Sequence, residues 1–115
     1  MIESKVIPVC EKNGIGQIVW SPMAQGVLSG KYLPGKKPPT GSRATDKKSG
    51  AAMISRWMHN DVLTAVQKLK PIAESVDLSM SQLALAWVLQ NDNVSSAIMG
   101  ATKPSQIKDN VKASG

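Results

Sequence analysis

Two short runs free of charge set the frame for this chain. Gln17-Ile18-Val19-Trp20 is β-branched and aromatic, preceded by Gly16 and ended by Ser21-Pro22, which suits a buried parallel strand. Val94 to Met99 reads as a second strand. Helical spacing fills much of the rest. From Glu3 to Asn13, Val6, Val9 and Cys10 recur at three- and four-residue intervals, and Gly14 follows as a left-handed stop, although Pro8 interrupts the pattern. From Asp61 onward, Val62, Val66, Leu69, Ala73 and Val76 mark one face, with a bend or a lost backbone bond expected at Pro71. A short helical piece near Met53 to Met58 precedes it.

Ser79 and Gln82 fit a capping box that opens Leu83 to Leu89, a helix apolar nearly all round and therefore expected to be covered on more than one side. Asn91-Asp92-Asn93 stops it, and Pro104 begins a last helix through about Ala113. The order helix, strand, long loop, helices, strand, helix is that of α/β proteins with parallel strands and right-handed crossovers. Two strands alone leave both sheet edges open, so the architecture reads as a fragment or as one arm of an oligomer.

Composition narrows the partners. The formal net charge is +6, but Lys31, Lys36, Lys37, Arg43, Lys47 and Lys48 crowd into the stretch from Gly30 to Gly50, most of it a Pro/Gly-rich loop over about 33–49. With Tyr32 as its one aromatic, that stretch lacks the stacking platform of a single-strand binder. A solvated loop or a clamp for a small phosphate ligand is expected, not a nucleic-acid surface. Cys10 and His59 each stand alone among their residue types, so neither an intrachain disulfide nor a metal site is expected, and His59 reads as a surface residue at a helix start. No apolar run approaches the roughly 18 residues of a membrane helix, and the amino terminus lacks the pattern of a secretory signal, so a soluble, cytoplasmic chain is expected.

Two segments carry chemistry. Trp20-Ser21-Pro22-Met23-Ala24-Gln25-Gly26 places an aromatic ring at a strand's carboxyl end, then small residues whose backbone can approach a ligand, and Lys31-Tyr32 follows. A core Trp followed by an ordinary turn explains the same residues equally well. Gly100-Ala101-Thr102-Lys103-Pro104 joins a strand end to a helix start, where backbone N–H groups and the Lys103 charge favour an anion. Gln106, Asp109 and Asn110 follow at spacings that put them on one helix face, where they could grip a nucleotide together, opposite Ile107 and Val111, the apolar pair expected to pack the helix down. A helix with ordinary polar surface remains the alternative.

These words, with Gly41-Ser42-Arg43-Ala44 and Gln82 through Gln90, resemble the aldo-keto reductases, in particular the branch that includes potassium-channel β-subunits and many bacterial reductases. The resemblance covers essentially the whole chain. It implies the last two strands of a (β/α)8 TIM barrel, with residues 1–115 a carboxy-terminal part, because a complete barrel takes roughly 200 residues or more. It further implies NADP(H), with a small carbonyl substrate for the full-length parent. Trp20 would lie against the nicotinamide, and Ser21, Pro22, Met23, Ala24 and Gln25 would line the pyrophosphate. Lys31 and Arg43 would come from a loop over the cofactor. Gly100, Ala101, Thr102 and Lys103 would hold the adenosine phosphate end, with Gln106, Asp109 and Asn110 around the 2′-phosphate and adenine. Gln106 stands where many members carry Arg, and Met23 where Leu is more usual. The family's catalytic Asp, Tyr, Lys and His match nothing here, so no catalytic residue is assigned. The expected function is the cofactor-binding portion of an NADP(H)-dependent carbonyl reductase, inactive alone. The alternative is a non-catalytic nucleotide-binding or interaction module that completes a barrel with a partner chain, a homo-oligomer or a separate amino-terminal portion.

Overall fold

The computed structural model describes residues 2–114. The chain divides into two compact units, one made of Met1–Pro22 and Leu85–Gly115, the other of Met23–Ala84.

The first unit holds the sheet. Helix α1 (Ile2–Lys12) ends where Gly14 turns left-handed at φ +67°. There the Ile15 N–H reaches back to the Cys10 carbonyl at 2.8 Å and the Gly14 N–H to that of Glu11 at 3.1 Å. This is a Schellman stop, and it satisfies carbonyls that the helix end would otherwise leave bare. Strand β1 (Gln17–Trp20) then pairs in parallel with β2 (Val94–Ile98) in the register Ile18↔Ser96, Val19↔Ala97 and Trp20↔Ile98. The start of the sheet is tied by the Asn93 side-chain N–H donating to the Ile15 carbonyl at 2.8 Å and by the Gln17 N–H donating to the Asn93 carbonyl at 2.7 Å. Helix α6 (Pro104–Asn110) follows β2 and tightens into a 3₁₀ turn over Val111–Ser114.

Three expectations fail in this unit, all for one reason. Alternation along β1 puts Ile18 and Trp20 on one face, and there they are 67% and 70% exposed, so β1 is parallel but not buried. In α1 the buried residue is Ile7, while Val6 and Val9 face solvent. Ile107 and Val111 of the last helix are likewise exposed and hold nothing down. Periodicity marks the face that prefers cover, but two strands supply too little surface to provide it.

The second unit closes a core of its own. Val27, Tyr32, Ile54, Leu63 and Val66 form a buried cluster, with Ala44, Trp57 and Met80 packed against it. Tyr32 is 1% exposed, so it anchors this unit and is not a loose loop residue. The Gln67 side-chain amide donates to the carbonyls of Gly30 at 3.0 Å and Tyr32 at 3.3 Å, pinning the segment that carries Lys31. Helix α2 (Gly50–Ile54) leads into a 3₁₀ turn at Ser55–Trp57. The helix expected from Asp61 to Val76 is two: α3 (Asn60–Gln67) and α4 (Lys70–Ser75). Pro71 lacks an N–H to continue the ladder, and at the first turn of α4 that lack costs nothing, so the chain restarts there instead of bending. The capping box forms as expected. The Ser79 N–H donates to Gln82 Oε1 at 2.8 Å, and the Gln82 N–H donates to Ser79 Oγ at 3.2 Å, opening α5 (Met80–Leu89). Trp87, in the part of α5 that belongs to the first unit, is exposed, so that helix is not covered on every side.

Candidate functional site

In the first unit the parallel register brings Trp20 beside Ile98, so Ser21-Pro22 and Met99-Gly100 leave the sheet from the same end, the carboxyl end of both strands. The backbone is unusual immediately beyond Trp20. Ser21 stands at φ +56°, Ala24 at +47° and Gln25 at +60°, a left-handed region that costs a side-chain-bearing residue of order 1 kcal/mol or more. Three such residues within five positions concentrate left-handed backbone at this point of the chain.

From Met23 on, Ala24 and Gln25 included, that segment belongs to the second unit. Gly26, at φ +97°, carries the Lys31 side chain over it, and a Cβ on Gly26 would sit 3.5 Å from Lys31 Nζ. The same ammonium lies 5.2 Å from the centre of the Tyr32 ring, a cation–π contact on a ring that the core fixes. Lys31 is thus an exposed cation on a rigid seat. Arg43 is exposed at the start of a 3₁₀ turn (Arg43–Thr45), with Nη1 3.8 Å from Met53 Sδ. That part of the long loop is stapled by Asp46, which accepts the Lys48 and Gly50 N–H groups at 3.0 Å each and the Ser49 hydroxyl at 3.3 Å. Those bonds, the Lys48 amide foremost and the Gly50 amide next, hold the Asp46 carboxyl below its ordinary value of 3.8.

After β2, Gly100 opens onto empty space, since a Cβ there would meet nothing within 4 Å. Thr102, Lys103 and Gln106 are exposed. Gln106 does not reach outward with its oxygen. Oε1 accepts the Thr102 N–H at 2.8 Å, the Thr102 hydroxyl at 3.2 Å and the Lys103 N–H at 3.2 Å. Asp109 is exposed and lies 3.8 Å from Lys112, whereas Asn110 is buried. Of the three residues expected on one face, Gln106 caps its own turn, Asp109 is exposed and Asn110 is buried.

The predicted site residues fall in both units. Trp20, Ser21, Pro22 and Gly100 through Asn110 belong to the first, and Met23, Ala24, Gln25, Lys31 and Arg43 to the second. A hollow of about 480 Å³ in the first unit, lined by Ile2, Ile7, Val19, Trp20, Trp87 and Asn91 among others, reaches Trp20 but not the Gly100–Asn110 segment. Sequence reasoning missed two supporting residues. The Asp46-to-Gly50 spacing is the signal for the loop staple, since an Asp four residues ahead of a helix start readily accepts its first N–H groups. Nothing local signals the Gln67 bonds, which join residues more than thirty positions apart.

Among the described residues no three His, Cys, Asp or Glu side chains gather as a metal site, and no single helix is long and apolar enough to cross a membrane. The protein-family model described as "Aldo/keto reductase family" matches residues 1–115. Over 112 residues the chain is 44% identical to proteins named "Probable voltage-gated potassium channel subunit beta" in Arabidopsis thaliana and in Oryza sativa subsp. japonica, covering 97% of this chain and 34% of each of them. It is 34% identical over 112 residues to an L-glyceraldehyde 3-phosphate reductase of Escherichia coli (strain K12), covering 96% of this chain and 32% of that enzyme. The chain thus spans about a third of the length of the curated relatives it matches. Its two parallel strands and flanking helices are those of a part of a (β/α)8 barrel, and the chain belongs to the aldo/keto reductase family.

Proposed function

We infer that this chain is the cofactor-binding end of an NADP(H)-dependent reductase of aldehydes or ketones. The observation that carries the reading is the run of left-handed, non-glycine backbone at Ser21, Ala24 and Gln25, directly beyond a strand that ends in an exposed Trp20. In a β/α barrel that strand end is the face where ligands bind. The residues fit a dinucleotide: exposed cations at Lys31, Arg43 and Lys103, a flat indole face at Trp20, and open space at Gly100. Trp20 would hold the nicotinamide and keep water from one side of it. Ser21 to Gln25, with Lys31 and Arg43, would hold the pyrophosphate. Gly100 to Lys103 and the residues of α6 would hold the adenosine end, and Lys103 would favour NADP(H) over NAD(H) by charge. When bound, the reduced nicotinamide supplies a hydride to a carbonyl carbon. No residue of this chain is assigned the matching proton, so the chain binds and orients but does not complete the reaction. The cytoplasm is the compartment this reading assigns.

A fluorescence titration with NADPH tests it. Saturable binding is expected, weakened by Trp20→Ala and by Lys31→Ala; binding indifferent to both would dismiss the reading. A second reading, a non-catalytic module that assembles with another chain, draws on the channel-subunit names of the 44% identical relatives. Cofactor binding with no reductase activity after the chain is mixed with a separately made amino-terminal barrel portion would favour that module.

A further inference from the structure

We propose that Lys36, Lys37, Lys47 and Lys48 form a docking surface for an acidic segment of a partner protein, separate from the cations assigned to the cofactor. Six of the chain's fourteen Lys and Arg residues fall between Gly30 and Gly50, against one of its eight Asp and Glu. Lys31 and Arg43 belong to the cofactor reading, which leaves the two lysine pairs without a task. All four side chains are exposed. The ion pairs at Lys70–Glu74 and Lys112–Asp109 lie elsewhere, and none of the four lysines meets a carboxylate among the described residues. Asp46, the one carboxylate of the stretch, turns its oxygens to the Lys48 and Gly50 N–H groups and the Ser49 hydroxyl, not to an ammonium. Like charges crowded without counter-charges repel one another, and an anionic partner relieves that repulsion. Both pairs also stand on ordered backbone. The Lys36 N–H donates to the Leu33 carbonyl at 3.2 Å and the Gly35 N–H to Asn60 Oδ1 at 2.8 Å, while Asp46 fixes the turn that carries Lys47 and Lys48. A fluid lipid surface gains nothing from such order, whereas discrete carboxylates do, because a pre-formed surface loses less entropy on binding. Nucleic acid would call for stacking partners, and Tyr32, the one aromatic ring of the stretch, is buried. Leu33, in the turn of the first pair, is 47% exposed, and Met53, against Arg43, is 49% exposed. The segment that fits is therefore acidic, with apolar residues set between its carboxylates.

The probe is a fluorescein-labelled peptide of repeated Glu-Glu-Leu, titrated with the full chain and followed by fluorescence anisotropy. Saturable binding is expected, fading as salt rises from roughly 50 mM to roughly 500 mM and screening shortens the reach of the charges. Lys36→Glu with Lys37→Glu, and Lys47→Glu with Lys48→Glu, should each weaken it about tenfold. Because these side chains are exposed, the circular dichroism of both variants should match wild type. Lys5→Glu with Lys12→Glu changes the net charge equally but in the other unit, and should leave binding near wild type. Leu33→Ser should weaken binding without altering its salt dependence, which charge reversal should flatten. A peptide of repeated Gln-Gln-Leu should not bind. The proposal is overturned by no binding, by equal weakening from the Lys5 and Lys12 reversal, or by equal affinity for the Gln-Gln-Leu peptide. Tighter binding to phosphatidylserine vesicles or to duplex DNA than to the acidic peptide would overturn it as well. Loss of NADPH binding together with the peptide would return the lysine pairs to the cofactor site.

Discussion

The two units of this chain treat apolar surface in opposite ways. In Met23–Ala84, Val27, Tyr32, Ile54, Leu63 and Val66 enclose one another, while in the sheet unit Ile18, Trp20 and Ile98 share an uncovered face. The first pattern comes from short helices and turns that meet their partners within one continuous segment. The second comes from strands, whose second face is finished only by further strands or helices brought from elsewhere. Local order can thus be complete in one unit while the sheet of the other remains unfinished, and cofactor-binding candidates occur in each.

The largest test of this contrast is truncation in each place. Ile54→Ala should destabilise by about 2–5 kcal/mol, because it empties a filled site in the closed core. Ile18→Ala should change stability by less than about 0.5 kcal/mol, because that side chain is already in water. Thermal unfolding followed by circular dichroism reads both, and equal losses would erase the distinction.

Next in size, Lys103→Ala in a completed barrel should weaken NADPH far more than NADH. A lost charge-assisted bond of about 1.5–3 kcal/mol corresponds to roughly ten- to a hundredfold in affinity. Equal weakening of both cofactors would remove Lys103 from phosphate recognition.

The uncovered sheet face should also drive association. Sedimentation velocity is expected to show oligomers or aggregates that diminish in an Ile18→Ser, Ile98→Ser double variant. A monodisperse wild-type monomer with cooperative unfolding would show that the face needs no cover.

The smallest effect is expected at the Asp46 staple. Its carboxyl is held below the ordinary value, so the staple is in place above that value and is lost as pH falls through the lowered one. Protection of the Lys48 and Gly50 amides should therefore drop as acid takes the solution below the ordinary value of 3.8 and through the lowered one, and Asp46→Ala should lack the drop. Protection that rises with acid would reverse the sign.

The elements themselves were legible in the residues. Gly16 and Ser21-Pro22 bound the first strand, Gly14 stops the first helix, and Ser79 with Gln82 opens α5, because each is a local signal acting on its own backbone. Burial was not legible in the same way: Val9, Ile18, Ile107 and Val111 satisfy the spacing of covered faces, yet whether anything covers them depends on surface that spacing does not describe. The break between α3 and α4 was half legible, since Pro71 announces a disturbance but fits a helix start as well as a bend. At the candidate site, the words Trp20 to Gln25 and Gly100 to Asn110 stood out, while their internal arrangement did not. Gln106 turns its oxygen onto Thr102, and Asn110 turns inward, choices made by side-chain geometry that helical spacing leaves open.

Binding without a complete reaction is the claim on which the functional reading turns, and one assay reaches it: NADPH oxidation by the purified chain alone in the presence of a simple aldehyde. General acid catalysis typically contributes about 10²- to 10⁴-fold and orientation more, and without an assigned proton donor the rate should match the protein-free background. A rate above background that Trp20→Ala abolishes would contradict this, and would place the catalytic groups among these 115 residues.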